Sequence, residues 1–131
     1  MSGNRFDPAT LEGLTARLLD AARKAGAESA DAVAVAGDAI SIDVGGGKLE
    51  QAERAEGFDI GLRVLIGRRQ ASVSASDISD DVIAGMAERA VAMAREAPED
   101  PTAGLADPSQ LARIWDQAAL EMIDPAAAPP A

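Results

Sequence analysis

The apolar residues near the start of the chain recur with the period of an α-helix. Between residues 8 and 25 they stand three or four positions apart, which places on one stripe Leu11, Leu14, Leu18, Ala22 and Ala25. Asp7 can cap the first free amides, and Pro8 suits the first helical position. Gly26 is the residue type that most readily ends a helix in the left-handed conformation. The pattern therefore predicts a first helix over residues 8–25.

From residue 30 onward the period changes to two, which is the period of a β-strand. Apolar residues alternate with small or polar ones in two runs, at residues 33–36 and 40–44. Gly37-Asp38 lies between the runs and is either a tight turn or a bulge in one long bent strand. The pattern leaves these two alternatives open.

Three consecutive glycines, Gly45-Gly46-Gly47, end the second run and precede the polar segment 48–56. We interpret this segment as an exposed or edge strand whose charges discourage edge-to-edge pairing. The glycines could approach an anion, but they lack the Lys-Ser/Thr pair and the following helix of a phosphate-binding loop. A plain turn between strands is the favoured interpretation.

The clearest strand signal covers residues 57–66. One face of this strand carries the large apolar residues Phe58, Ile60, Leu62, Val64 and Ile66. A turn at Gly67-Arg68-Arg69 leads into a strand over residues 71–76, in which three serines alternate with small apolar residues. Together the two segments predict a β-hairpin with a hydroxyl-bearing face.

A second amphipathic helix is predicted from Ser79 to the residue before Pro98. Asp80 and Asp81 stand in its first turn, where they complement the positive end of the helix dipole, and capping explains them better than a metal pair does. Beyond this helix the chain is punctuated by Pro, Asp and Gly. We expect an N-terminal domain over residues 1–97. Residues 98–131 are expected to form an extended connection, a short helix within 109–123 and a Pro/Ala linker toward a missing C-terminal domain.

The predicted fold class is α+β: a helix, four or five mostly antiparallel strands and a second helix. The connections between the strands are too short for parallel crossovers, which need a dozen residues or more. Two helices can cover one face of such a sheet, which gives a two-layer sandwich.

Composition limits the chemistry that this chain can perform. Its 131 residues carry 12 Lys+Arg against 22 Asp+Glu, for a net charge of −10, and include neither His nor Cys. Without His there is no Ser-His-Asp triad, and without His and Cys the usual zinc sites cannot be assembled from this chain alone. Carboxylates could still hold Mg²⁺ or Ca²⁺. No disulfide is possible, which fits a reducing compartment.

Charge and hydropathy also bear on partners and location. A strongly acidic chain repels a phosphate backbone, so we expect no direct nucleic-acid contact. The sequence has no apolar run of 18 residues and begins with a polar stretch unlike a signal peptide. These features predict a cytoplasmic protein without a membrane span.

The densest positive cluster consists of Arg63, Arg68 and Arg69. These residues could bind a carboxylate, such as a peptide terminus, through bidentate contacts. The simpler interpretation places Arg68 and Arg69 at a solvated hairpin tip and pairs Arg63 with a neighbour in the sheet, such as Asp43 or Asp59.

The serines of the second hairpin strand cannot act as triad nucleophiles, because His is absent and no Ser-x-x-Lys motif is present. Their hydroxyl face is better suited to packing or to contact with a partner. An extended peptide could also add to an exposed edge of such a sheet. We therefore nominate five residues for peptide or partner contact: Arg63, Arg68, Arg69, Ser72 and Ser74. We expect no catalytic and no metal-binding residue.

Three stretches of the sequence, taken in order, resemble the N-terminal domain of the TldD/PmbA family, whose members are also described as modulators of DNA gyrase. They are Gly57–Gln70, with glycines at 57, 61 and 67, Ala71–Ser79, and Ala90–Pro101. Gly47-Lys48-Leu49-Glu50 and Gly104–Pro108 stand in the order that the family shows. The resemblance covers roughly residues 10–125 and is closer to the PmbA (TldE) branch than to TldD.

The resemblance implies a cytoplasmic TldD–TldE metallopeptidase, a heteromeric hydrolase that cleaves peptide bonds in peptides or unfolded proteins. The zinc-binding His-Glu-x-x-x-His motif belongs to the TldD subunit and follows this N-terminal region. Because the present chain has no His, none of those ligands can be assigned to it, and no cofactor is expected in this chain.

The expected function is that of a non-catalytic N-terminal domain of a PmbA/TldE-like subunit. Such a domain would help assembly with a TldD-like subunit and guide extended peptide substrates toward the zinc of that subunit. The alternative is a stand-alone acidic protein-interaction module that binds a basic partner and is unrelated to proteolysis.

Overall fold

The computed structural model describes residues 7–126. In this range the chain forms two α-helices, three β-strands and one 3₁₀ helix, in the order α1 (Pro8–Ala25), β1 (Ser29–Gly45), β2 (Lys48–Ile66), β3 (Arg69–Ala75), α2 (Asp80–Glu96) and η1 (Pro108–Gln110). The sheet has the order β1-β2-β3. The predicted α+β class, with strands between two helices, is confirmed.

Residues 7–126 contain three strands, so the prediction of four or five strands is wrong. Residues 29–45 form one continuous strand through Gly37-Asp38, because Gly37 does not adopt the positive φ that a tight turn would need. The polar segment 48–56 is the first half of β2 and not a separate strand. The chain reverses instead at Gly46 and Gly47, whose φ angles of 56° and 76° suit a two-residue hairpin turn.

The predicted hairpin over residues 57–76 is confirmed as the antiparallel pair β2 and β3. Its register runs from Ile66 opposite Arg69 to Ile60 opposite Ala75. The turn consists of Gly67 and Arg68 alone, since Arg69 already belongs to β3. Gly67 has φ 58°, a conformation that a residue with a side chain rarely adopts.

Both predicted helices are present, with ends that follow from their caps. Asp7 accepts the N–H of Ala9 at 3.3 Å at the start of α1, and Gly26 ends that helix with φ 103°. At the start of α2 the side chain of Ser79 makes no capping bond, and its N–H donates to Asp77 at 2.8 Å. Asp77 thus accepts the N–H of the residue that precedes the first helical one.

The core lies between the two helices and one face of the sheet. Its buried members are Leu14, Leu18 and Ala22 of α1, Ile60, Leu62 and Val64 of β2, and Ile83, Met86, Ala87, Ala90, Val91 and Ala94 of α2. From β1, only alanines at positions 30, 32 and 34 pack against this cluster. Val33 and Val35 alternate with them and are 56% and 52% exposed on the opposite face. One face of the sheet is thus covered, and the other is open.

The chain divides into two compact units. The first comprises Met1–Asp38 and Glu56–Leu105, described from residue 7, and the second comprises Ala39–Ala55 and Ala106–Ala131, described to residue 126. Strands β1 and β2 contribute residues to both units. The units interleave along the sequence, so the predicted boundary at residue 97 stays a prediction of where a separate domain begins.

The expected short helix within residues 109–123 is reduced to the three residues Pro108–Gln110. A single turn over residues 117–121 follows, in which Asp116 accepts the N–H groups of Ala118 and Ala119. Apolar residues of this stretch do stand three or four positions apart, such as Leu111, Ile114 and Trp115, but they are exposed. A short helix without a buried apolar face is not stable by itself. The end of the predicted Pro/Ala linker, residues 127–131, lies outside the described residues.

Candidate peptide-contact site

A groove of about 410 Å³ lies on the open face of the sheet in the first unit. It is lined by Asp31, Ala32, Val33, Gly61, Leu62, Arg63, Ser72, Val73 and Ser74. The side chains on this face come from all three strands, and they alternate with the residues that pack against the helices. Three of the five residues nominated for peptide or partner contact line it: Arg63, Ser72 and Ser74.

Gly61 keeps the centre of this groove open. It stands opposite Ser74 in the register of β2 and β3. A Cβ atom at this position would lie 3.0 Å from Cγ1 of Val33 on β1, which is closer than ordinary van der Waals contact. A side chain at this position would fill the groove, so the absence of one at Gly61 keeps the groove open.

Arg63 binds Asp31 at two points across the sheet. Its Nε donates to Oδ1 at 2.9 Å, and its Nη2 donates to Oδ2 at 2.6 Å. Its Nη1 donates to Oε1 of Gln70 at 3.3 Å. The hydrogen bond to Asp31 raises the pKa of Arg63 above its usual value. The expected pairing of Arg63 with a neighbour in the sheet is therefore confirmed, but the partner is Asp31 on β1 and neither Asp43 nor Asp59.

The two serines of the groove have hydroxyls that are available to a ligand. Ser72 and Ser74 are exposed and face Arg63 and Gly61 in the strand register. In the described part of the chain neither hydroxyl forms a hydrogen bond, whereas Ser76 donates to Asp59 at 2.9 Å. Each free hydroxyl can donate one hydrogen bond and accept two. The groove thus combines an apolar wall with unpaired polar groups.

Arg68 and Arg69 do not line the groove, and each donates to backbone carbonyls instead. Arg68 Nη1 donates to the carbonyl of Ala103 at 2.9 Å. Arg69 Nη1 donates to Ala97 at 2.7 Å and to Arg95 at 3.2 Å, at the end of α2. Arg68 does lie at the exposed hairpin tip, as expected, whereas Arg69 is half-buried in β3. The guanidinium groups of both hold the chain that leaves α2. Their contact with a peptide stays a prediction.

A second cavity of about 360 Å³ lies between α1 and α2 and is mostly lined by charged residues. These charges pair among themselves: Arg17 binds Asp80 at 2.5 Å, and Lys24 binds Asp20 at 2.7 Å. The Lys24 and Arg23 side chains lower the pKa of Asp20 through hydrogen bonds. This cavity therefore offers a ligand fewer unpaired groups than the groove on the sheet.

The residues present do not fit a zinc site. The sequence has no His and no Cys. Among residues 7–126 no three carboxylates come close enough to hold a metal ion. In the same range no helix is long and apolar enough to cross a membrane. The described part of the chain thus offers no donor set for a catalytic zinc.

Sequence reasoning nominated three of the groove residues but missed Asp31 and Gly61. The signal for Asp31 was its odd-numbered position, which it shares with Val33 on the outer face of β1. The signal for Gly61 was a glycine in the middle of an otherwise apolar strand, which often marks close approach of another group. Neither signal identifies a groove residue until the pairing of the strands is known.

Comparison with known proteins places this geometry in a family. The sequence profile of PmbA/TldA metallopeptidase domain 1 matches residues 30–94, which include the groove-bearing parts of all three strands and most of α2. No curated protein sequence matches the chain significantly. A crystal structure from Bacteroides thetaiotaomicron, of a protein described as a candidate modulator of DNA gyrase, shares the fold with a TM-score of 0.72 at 18% identity. The match covers 80% of this chain and 24% of the other, so the chain spans about a quarter of that protein's length.

Proposed function

Because the chain belongs to the PmbA/TldD family and carries its first domain, we propose that it is the non-catalytic N-terminal domain of a PmbA/TldE-like subunit in a cytoplasmic TldD–TldE metallopeptidase. In this role the domain holds extended peptides on the open face of its sheet. It also helps assembly with a TldD-like subunit, whose zinc performs the hydrolysis. The family match supports membership of such a metallopeptidase, and the groove supports the binding of peptides.

The observation that carries the proposal is the unfilled groove on a sheet with accessible strands. The sheet has the order β1-β2-β3, so within the described residues β3 pairs with β2 alone. The side chains of Ser72 and Ser74 on this strand are exposed. An extended peptide can therefore lie along β3 and hydrogen-bond to its backbone or to these hydroxyls.

The chemistry of the groove favours a neutral peptide segment over a charged terminus. Asp31 neutralises Arg63 and occupies two of its donors, so an incoming carboxylate must compete with an ion pair that is already formed. Val33 offers an apolar wall, and the two free hydroxyls suit main-chain amides. We therefore expect recognition of backbone with small or apolar side chains, and little preference for a peptide end.

The test is binding of fluorescein-labelled eight-residue peptides of mixed, unstructured sequence, measured by fluorescence anisotropy. We expect the double variant Ser72→Val/Ser74→Val to bind about tenfold more weakly, because two hydrogen bonds of ordinary strength are lost. Thr15→Val on α1 is the control, since it also removes a hydroxyl in favour of a valine but lies on a helix, away from the groove. Equal affinity for the wild type and the double variant would contradict the proposal. Binding that is confined to basic peptides and unchanged in the double variant would favour an acidic interaction module instead.

The non-catalytic part of the proposal has its own test. Titration calorimetry with Zn²⁺ should show no stoichiometric binding to the purified chain, since it lacks the ligands of a zinc site. The chain should also leave an unfolded protein substrate uncleaved. Stoichiometric zinc binding, or cleavage by the chain alone, would overturn this part.

A further inference from the structure

Arg63 has two N–H groups that no residue in the described range 7–126 accepts. A guanidinium carries five N–H groups. Asp31 accepts one from Nε and one from Nη2, and Gln70 accepts one from Nη1. One N–H therefore remains on each terminal nitrogen, Nη1 and Nη2. Because Arg63 lines the groove and its side chain is 34% exposed, a ligand in the groove can reach these remaining donors.

Asp31 cancels the charge of Arg63 while these donors stay in place. Both oxygens of Asp31 lie against the guanidinium, at 2.9 and 2.6 Å. Such a bidentate pair holds the arginine in a fixed orientation on the sheet. A neutral acceptor, such as the carbonyl oxygen of a peptide, needs only the remaining N–H groups. A carboxylate in the same place would also meet the nearby charge of Asp31, and like charges repel.

The lining of the groove holds no second cation that could offset this repulsion. Among the described residues that line it, Asp31 and Arg63 are the charged ones, so the charges of the lining cancel. The whole chain has a net charge of −10, which adds no attraction for an acidic ligand. On the same face of β2, Asp59 accepts a hydrogen bond from Ser76 at 2.9 Å and not from an arginine. The charge that the groove presents therefore depends on Asp31.

We propose that Asp31 is the specificity-determining residue of the groove. It masks the charge of Arg63 and leaves the two remaining N–H groups to bind carbonyl oxygens, so the groove takes neutral peptide segments and rejects acidic ones. Without Asp31, the same arginine becomes a site for a carboxylate. The inference rests on the proposed function for the presence of a peptide in the groove, and it adds the residue that selects among peptides.

Fluorescence anisotropy with two eight-residue peptides tests this selection. Both peptides carry fluorescein and an amidated C-terminus, and they differ at one central position, which is Ala in the neutral peptide and Glu in the acidic one. For the wild type we expect the acidic peptide to bind at least about fivefold more weakly than the neutral one. In Asp31→Asn the ratio of the two dissociation constants should fall by about tenfold, because a hydrogen-bonded contact between charged groups becomes available.

Asp59→Asn is the matched control. It makes the same chemical change on the same face of the sheet and alters the net charge by the same amount. Since Asp59 does not pair with Arg63, the ratio should change by less than about twofold. Asp31→Ser is a second test variant, because it removes the carboxylate without placing an amide N–H against the guanidinium. Equal changes in Asp31→Asn and Asp59→Asn, or an unchanged ratio in both variants of Asp31, would overturn the inference.

The double variant Asp31→Asn/Arg63→Gln tests whether the gained binding passes through the arginine. We expect it to lose the affinity for the acidic peptide that Asp31→Asn gains, and we expect high salt to weaken that gained binding as well. Acidic-peptide binding that persists in the double variant would contradict the role of Arg63. Circular dichroism spectra equal to that of the wild type show that the helices and the sheet are intact in each variant.

The outcomes separate this inference from the proposed function. If the neutral peptide binds to the wild type and the ratio does not respond to Asp31, the selection by Asp31 is wrong while the peptide-binding role stands. If neither peptide binds to the wild type, the peptide-binding role and the selection by Asp31 fail together.

Discussion

Arg63 on β2 binds Asp31 on β1 through two parallel hydrogen bonds of 2.9 and 2.6 Å, between Nε and Oδ1 and between Nη2 and Oδ2. The two residues are 32 positions apart in the sequence, and the pair ties the edge strand to the central strand. It also forms one wall of the groove. The strongest positive group of the open face is therefore neutralised within the molecule, which leaves the serine hydroxyls as its free polar groups.

A double-mutant cycle tests the strength of this pair. We expect the coupling free energy between Asp31→Ala and Arg63→Ala to be about 0.5–1 kcal/mol, the upper part of the range for exposed pairs, because the contact is bidentate. The side chains are 34% and 51% exposed, so solvent screening keeps the value small. Urea unfolding of the two single variants and of the double variant measures the coupling. Additive effects within error would show that the pair contributes nothing to stability.

Substitution of two neighbouring leucines of α1 tests which side of this helix faces the core. Leu18 is fully buried, whereas Leu19 is 40% exposed. We expect Leu18→Ala to lower the free energy of unfolding by about 2–5 kcal/mol, since it leaves a cavity among the helices and the sheet. Leu19→Ala removes the same atoms from the surface and should cost less than about 1 kcal/mol. Equal losses of unfolding free energy at the two positions would contradict the orientation of α1, in which Leu18 faces the core and Leu19 does not.

The role of Arg69 in capping the end of α2 can be tested by substitution. Its guanidinium donates to two carbonyls at the helix terminus, those of Ala97 and Arg95. We expect Arg69→Ala to lower the free energy of unfolding by about 1–2 kcal/mol, because charged donors to terminal carbonyls are lost. Arg89→Ala, an exposed arginine of the same helix, is the control and should change stability by less than about 0.5 kcal/mol. A cost no larger than that of the control would show that Arg69 is not a capping residue.

The hydrogen bonds of Asp100, in the loop after α2, can be tested through the pKa of its carboxyl group. The hydroxyl and the N–H of Thr102 donate to its Oδ1 at 2.6 and 2.8 Å, and these bonds lower the pKa of Asp100 below its ordinary value of 3.8. A carboxyl with a lowered pKa in the folded state stabilises the protein above the unfolded-state pKa. That contribution is lost as the pH falls through the folded-state pKa.

An NMR titration of the side-chain carboxyl of Asp100 measures this pKa directly. We expect a midpoint below 3.8 in the wild type and a higher midpoint in Thr102→Val, which removes the hydroxyl. Thr10→Val is the control, because Thr10 lies in α1 and makes no bond to Asp100. A wild-type midpoint at or above 3.8 would contradict the assigned hydrogen bonds.

The elements with a clear hydrophobic period could be predicted from the sequence, and the long strands could not. Periods of 3.6 and 2 defined both helices and the hairpin, since a stripe or a face must be buried. Gly37-Asp38 was ambiguous because glycine permits a turn without requiring one, and the chain stays extended there. Segment 48–56 has no apolar alternation, so only its pairing within the sheet reveals it as part of β2.

The groove was predictable in part. Alternation along β3 placed Ser72 and Ser74 on one face, and that placement is confirmed. The partner of Arg63 depends on the register between β1 and β2, which local sequence does not define, so Asp43 and Asp59 seemed equally suitable. The carbonyl contacts of Arg68 and Arg69 depend on where residues 95–103 pass, and no local pattern carries that information.

Photo-crosslinking tests directly whether the open face of the sheet holds an extended peptide. An eight-residue peptide that carries one benzophenone side chain is irradiated with the chain, and the adducts are located by mass spectrometry. We expect adducts on β3 and on the first half of β1, and their loss in Ser72→Val/Ser74→Val. Adducts confined to α1 and α2, or adducts that persist unchanged in this variant, would contradict it.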